Sequence, residues 1–477
     1  MNRALTFGFA LLVASAPALA KTSKSDVKKA FKSGSKDRVV TILGELGGDL
    51  DKGTVRAVID NAKRLRSLGV YEELVQCLRT AKGEALEELL KAYKKQKKNG
   101  AVRFLVLDGI GGVADARAEE LLFTAAEKDK DEPIRVLSVR LLGKRSTKSA
   151  VTGVIKLLVD QEASKKRSER MIRELNGALS NLTGEDLTVG EDWQNWWNSN
   201  KAKFSPKKTE DGKTGERGNI LDRMAKERAA DLKTLTRVKD NQLIVVRGND
   251  KVEDVLKALK LKHERVKREE LEKMDLDPTK QLVLLNCPGR AQFSEAGIQK
   301  IRNFVAKGGF LFCSDWELGK TLAKAFPEAC QFLKESSKGD VKEVTIVPFP
   351  AGAKHPLMRD VFPLNTFETG GFAWKLEGRS HLAKKTPLIV PLISCPKIES
   401  EGSTMVAFTF AFTSAKGGRP VTGREMTKLK VPPGQVLWVS SHFKLQKDSN
   451  GDGFALQQLL LNFIVEKQNQ ARRFAGR

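Results

Sequence analysis

Few residues of this 477-residue chain could do chemistry, and those that could fall at the ends of short apolar runs. Three such ends stand out: Asn286-Cys287-Pro288, Cys313-Ser314-Asp315-Trp316 and Ser440-Ser441-His442. A carboxylate or thiol beside an imidazole can act as a nucleophile with its general base. Asp315 or Cys313 partnered by His442 could therefore run a hydrolysis, with Ser440 or Ser441 nearby. Ser314, Trp316 and Ser441 would then line the ligand. The same residues also have structural uses. Asp315 is a preferred N-cap for a helix over 317–325, Cys287 and Cys313 suit core packing, and His442 suits a hydrogen-bonded strand end.

No metal and no cofactor is expected. The five cysteines (Cys77, Cys287, Cys313, Cys330 and Cys395) contain no CxxC pair, and the chain has four histidines. The cysteines are too scattered for a disulfide framework, and a core of this size needs none. Asp448-Ser449-Asn450-Gly451-Asp452-Gly453 begins like a calcium loop, but the twelfth position, where a bidentate Glu is required, is Leu459. A turn plus helix cap is the better reading there.

Elements that put such residues at strand ends are legible after Asn241. Apolar strands are expected over 243–246, 282–287 and 310–313, with helices over 252–259 and, capped by Ser294, over 294–306. Further strands fit 344–347, 388–392, 405–412 and 436–440, and a helix over 454–465 closes the chain. Strand and helix in alternation predict an α/β domain with a mainly parallel, flavodoxin-like sheet, and ligands in such sheets bind at the carboxyl ends of the strands.

Before that domain the pattern is helical. Val102 to Gly111 matches Ile134 to Gly143 at a spacing of 32, and Val40, Ile42, Leu43, Leu46 and Gly47 match a further 64 residues upstream. Such a repeat predicts an α-solenoid, with each terminal glycine as a left-handed helix cap. Trp193, Trp196 and Trp197 should pack under its last helices. Residues 1–20 read as a cleaved signal peptide: Arg3, an apolar run, then Ala18-Leu19-Ala20. The expected divisions are 1–20 signal peptide, 21–200 solenoid with tryptophan cap, 201–240 basic linker and connecting helix, and 241–470 α/β domain. After cleavage no membrane span is left, and the chain is expected to be exported, periplasmic or extracellular.

Two resemblances follow from these residues. The helical repeats resemble HEAT-repeat proteins, and "LTG" at 182–184 with the three tryptophans is similar to exported HEAT-repeat proteins of planctomycete-like bacteria. "FSEAGIQKIRNFVAKGGFLF", "KHPLM" at His355 and "VLWVSSHFKLQ" are similar to the class I glutamine amidotransferase-like fold, including its trehalose-utilisation-type relatives. That resemblance implies a nucleophile elbow at Asp315 and a partner at His442. Its elbow cysteine and flanking glycines are missing, and Lys444 stands where an orienting Glu is implied. It therefore implies a degenerate active site.

Lys and Arg outnumber Asp and Glu by 84 to 59, a formal charge of +25. The excess is even along the chain, with clusters at Lys91, Lys94, Lys95, Lys97 and Lys98 and at Lys201, Lys203, Lys207, Lys208 and Lys213. Neither cluster is interleaved with aromatics, and export argues against nucleic acid as a partner. The expected function is that of a non-catalytic binding or scaffold protein of the cell envelope, with protein partners on the solenoid. The alternatives are a hydrolase at Asp315, Cys313 and His442, and binding of anionic envelope polymers through the basic segments.

Overall fold

The computed structural model describes residues 24–47, 50–205, 220–337, 342–364, 372–414, 419–421, 429, 432–446 and 452–475. The expected signal peptide, most of the polar linker and the start of the calcium-like motif lie outside these residues. No helix among the described residues is long and apolar enough to cross a membrane.

Residues 24–200 form two layers of helices. One row is α2 (Lys36–Glu45), α4 (Tyr71–Arg79), α6 (Gly100–Gly111), α8 (Glu132–Leu142) and α10 (Glu169–Thr183), each packed on the next in the row. The other layer holds α1 (Lys24–Ser33), α3 (Lys52–Arg66), α5 (Gly83–Lys95), α7 (Ala116–Lys128), α9 (Lys148–Ala163) and α11 (Gly190–Asn200). The 32-residue match thus relates adjacent members of one row, α6 and α8. The expected role of its glycine is wrong. Neither Gly111 nor Gly143 has a positive φ, and Gly143 sits at −63°. A Cβ on Gly111 would lie 2.4 Å from Leu141 Cδ2, and one on Gly143 would lie 2.9 Å from Ala178 Cα. The glycine repeats because it lets one helix approach the next.

Trp193 and Trp197 are buried, donating to Asn176 Oδ1 (2.8 Å) and Thr152 Oγ1 (3.0 Å), while half-buried Trp196 stacks on Trp197. Phe204 packs edge-on against both Trp196 and Trp197, so the chain beyond α11 begins folded against it.

The second half is built on one large sheet. Its first five strands are parallel, in the order β2 (Glu264–Val266), β1 (Leu243–Val246), β3 (Leu282–Leu285), β4 (Phe310–Ser314) and β12 (Gly434–Val439). That order is the flavodoxin-like one. Beyond β12 the sheet runs antiparallel through β10 (Met405–Thr413), β9 (Val390–Ser394), β6 (Lys342–Pro348) and β7 (Phe372–Leu376). The sheet is therefore mixed, parallel in its first five strands and antiparallel beyond them. A single short turn, Pro396–Glu401, joins β9 to β10, and a parallel pair would need a crossover of a dozen residues. Alternate residues of each parallel strand point into two cores: Leu243, Leu284 and Phe312 on one face, Ile244, Leu285 and Cys313 on the other. The first face is covered by the closing helix, Asp452–Ala475, in which Leu459 is buried where a calcium loop would need its Glu. The second face is covered by Glu295–Ala306, whose N-cap is Ser294 as expected.

The two halves are joined by buried ions. Arg140 of α8 pairs with Glu174 of α10 (2.8 Å) and with Asp360 of the second half (2.9 Å). Arg359 closes the circuit on Glu174 (3.0 Å) and on Asp231 of the connecting helix Ala229–Leu235 (3.1 Å). Arg173 makes a two-pronged pair with Glu466 of the closing helix (2.6 and 2.7 Å). Burial opposes the charges of Arg140, Arg173, Arg359, Glu174, Asp231 and Asp360, yet Glu174 is held well below the usual carboxylate range by Arg140 and Arg359. Removing one member strands the others without water. Glu174→Ala should cost about 3–5 kcal/mol in urea unfolding, whereas exposed Lys91→Ala should change stability by less than about 0.5 kcal/mol.

Lys467 is wholly buried in the closing helix, donating to Pro278 O (2.7 Å), Gly308 O (2.9 Å) and Gln470 Oε1 (3.0 Å). Burial pushes its pKa down to about 7 against the pull of Asp277. An unfolded lysine keeps its proton to about pH 10.4, so between these values the unfolded chain binds more protons and stability rises with pH. Unfolding curves at pH 7 and 9.5 should show that rise shrinking in Lys467→Met.

Candidate functional site

Four loops leave the carboxyl ends of the parallel strands and converge. They carry Asp250 after β1, Cys287 after β3, Asp315 after β4 and His442 after β12. The first two loops approach so closely that a Cβ on Gly248 would lie 2.5 Å from Cys287 O. One ligand atom each of Cys287, Asp315 and His442 falls within 4.8 Å of the other two. Their exposures are 3%, 0% and 1%.

Each side chain is aimed by a neighbour. Asp315 takes a left-handed backbone, φ +41°, at the end of its strand. One oxygen, Oδ1, accepts the His381 amide (2.7 Å). His442 Nδ1 meets Glu377 Oε1 at 2.9 Å, and Lys444 Nζ holds the same oxygen at 3.2 Å. Ser314 Oγ accepts the amide of Cys287 (2.8 Å), and Asp250 Oδ1 accepts that of Phe443 (2.5 Å). What is left over faces inward. His442 Nε2 and Asp315 Oδ2 lie 3.3 Å apart without the alignment of a hydrogen bond, and both are otherwise unpartnered.

The charges follow from this geometry. Burial alone would lower His442, but Asp315, Cys287 and Glu377, with the charge of Asp250, hold its pKa well above 6.5. Hydrogen bonding to His442 takes Glu377 down to about 2. Burial pushes Asp315 up to about 6 despite His442, and pushes Asp250 up as well. Glu377 and Asp250 face the ring as well as Asp315.

Several expectations are corrected here. Asp315 is not a helix cap: its carboxylate is taken by His381, and the Leu318–Leu322 turn begins after Glu317 without a side-chain cap. Cys313 does not join the site. It lies in the apolar core with Trp438, and burial drives its thiol well up, which leaves it inert. Cys287, read as core packing, takes its place. Lys444 does not stand in for an orienting carboxylate but holds one, Glu377. Ser441 is spent on Lys375 O (3.0 Å), and Trp316 stacks on His381 outside the centre, its Nε1 bonded to Arg379 O (2.9 Å). His355 lies away from the site, buried, with burial lowering its pKa to about 4.

Two participants were missed by the sequence. Glu377 follows β7, a strand not expected at all, and nothing local marks it. Asp250 carried a signal, since Gly248-Asn249-Asp250 ends a predicted strand as the other three sites do.

No family model and no curated protein matches this chain. Among solved structures it has weak similarity to a ThuA-like protein from Bacteroides uniformis ATCC 8492, with a TM-score of 0.31 and 9% identity. That match covers 47% of this chain and 91% of the other. The exo-beta-1,4-mannosidase Op5Man5 from Opitutaceae bacterium strain TAV5 gives a TM-score of 0.27 and 7% identity, covering 89% of this chain and 77% of that one.

The strained carboxylate at 315 has two duties, a left-handed backbone and an acceptor for His381. Asparagine tolerates that backbone and keeps an acceptor oxygen, whereas alanine does neither. Asp315→Ala should therefore lose about 1–3 kcal/mol more than Asp315→Asn in denaturant unfolding.

Proposed function

We propose that this chain is an exported, non-catalytic binding or scaffold protein of the cell envelope. Its helical half is read as a HEAT-like solenoid presenting a protein-binding surface, and its second half as a degenerate amidotransferase-like domain. The observation that carries the reading is closure: Cys287, Asp315 and His442 have almost no accessible surface. Of the two cavities described, one of about 280 Å³ lies between Phe349, Lys385 and Met405, and a smaller one lies at the ionic junction around Arg140 and Glu174. Neither reaches the three residues. A general base needs hydrogen-bond reach to a substrate proton, and these three side chains present almost no surface to one. The ionic junction supports the scaffold reading too, because it couples the helical layers to the sheet through buried, mutually dependent charges.

A second reading, hydrolysis, is favoured by one observation. Asp315 occupies a left-handed turn at a strand end beside a histidine held by a glutamate, the arrangement of a nucleophile elbow. Binding of anionic envelope polymers through the exposed lysines of the α5 end is a further proposal, and would weaken steeply with added salt.

The purified chain should show no turnover above a buffer control on amide, ester and glycoside substrates. Turnover that disappears in His442→Ala would overturn the binding reading and establish the hydrolase.

A further inference from the structure

The inward-facing atoms at the strand ends form an unusual set: a thiol sulfur, an imidazole nitrogen and a carboxylate oxygen within 4.8 Å of one another. Buried polar atoms are normally paired, and a buried carboxylate oxygen facing a buried ring nitrogen without a hydrogen bond calls for an explanation. The opposite end of each side chain, or its backbone, is already engaged. Glu377 holds His442 Nδ1, His381 holds Asp315 Oδ1, and Ser314 holds the amide of Cys287. Fixing one end of each group turns Nε2, Oδ2 and Sγ toward one another.

From this convergence we propose that Cys287, Asp315 and His442 bind a divalent transition-metal ion of the zinc class. The donor set selects the class: sulfur, nitrogen and oxygen together suit zinc and its neighbours, whereas calcium and magnesium take oxygen alone. A histidine ligand whose second nitrogen is held by a carboxylate is the usual outer-sphere arrangement of such centres, and Glu377 occupies that position.

This inference deepens the binding reading by naming what the closed centre holds, and the two can fail separately. Turnover assays test the reading, and metal content tests the inference. Because the site is buried, the metal must enter as the chain folds, so the probe is supplied during expression. The full chain is produced in zinc-depleted medium containing cobalt, purified without chelator, and examined by elemental analysis and absorption spectroscopy. The expected result is about one cobalt per chain, with a thiolate-to-cobalt charge-transfer band and the visible bands of a tetrahedral ion. Cys287→Ser should fold, by circular dichroism, and lack the charge-transfer band. If that variant does not fold, Glu377→Gln keeps all three ligands and should weaken cobalt retention about 10–100-fold on dialysis against chelator. Folded protein without stoichiometric metal, bands unchanged in Cys287→Ser, or retention unchanged in Glu377→Gln would overturn the proposal.

Discussion

Charge taken out of water must find its partner inside the protein, and that constraint organises this molecule at both of its central places. At the junction of the two halves, Arg140, Arg173 and Arg359 meet Glu174, Asp231, Asp360 and Glu466 with almost no solvent between them. At the strand ends, His442 lies among Glu377, Asp315 and Asp250. A buried pair gains little over apolar packing of the same volume, but a broken one is expensive. The consequence is mutual dependence. The helical layers, the connecting helix and the closing helix each supply charges that the others need, so none can move alone without stranding an ion.

The strand-end centre uses the same principle at shorter range. Parallel strands deliver four loops to one edge of the sheet, and the β1 and β3 loops are brought together by a glycine that leaves no room for a side chain. Asp315 bears a left-handed backbone that its hydrogen bonds sustain, and strain of this kind persists where the surroundings over-determine it. The antiparallel extension of the sheet then supplies what the parallel part lacks. Glu377, at the end of β7, reaches His442, and the His381 amide, at the start of the short strand His381–Lys384, reaches Asp315. The strand-end residues thus form a braced polar centre with almost no accessible surface.

Much of the fold was legible in the sequence because it rests on local periodicity. The strands at 243, 282, 310, 405 and 436, the Ser294 cap and the 32-residue helical match all follow from hydrophobic spacing. The mixed character of the sheet was less legible, since β7 and the edge strands are short and carry no strong apolar run. At the site, strand-end position identified Asp315 and His442. It could not separate Cys313 from Cys287, because both stand at strand ends and only the tertiary fold brings the Cys287 sulfur near His442. Glu377 was invisible for a different reason: 65 residues separate it from His442, and only the tertiary fold brings them together.

The central claim is that this strand-end centre is closed. Thiol labelling of the native, chelator-treated chain, resolved by mass spectrometry, tests it most directly. Closure predicts that Cys287 is modified only as the protein unfolds, with the same denaturant dependence as the core residue Cys313. Rapid modification of Cys287 in the native state, with Cys313 still protected, would show an open site and contradict the account.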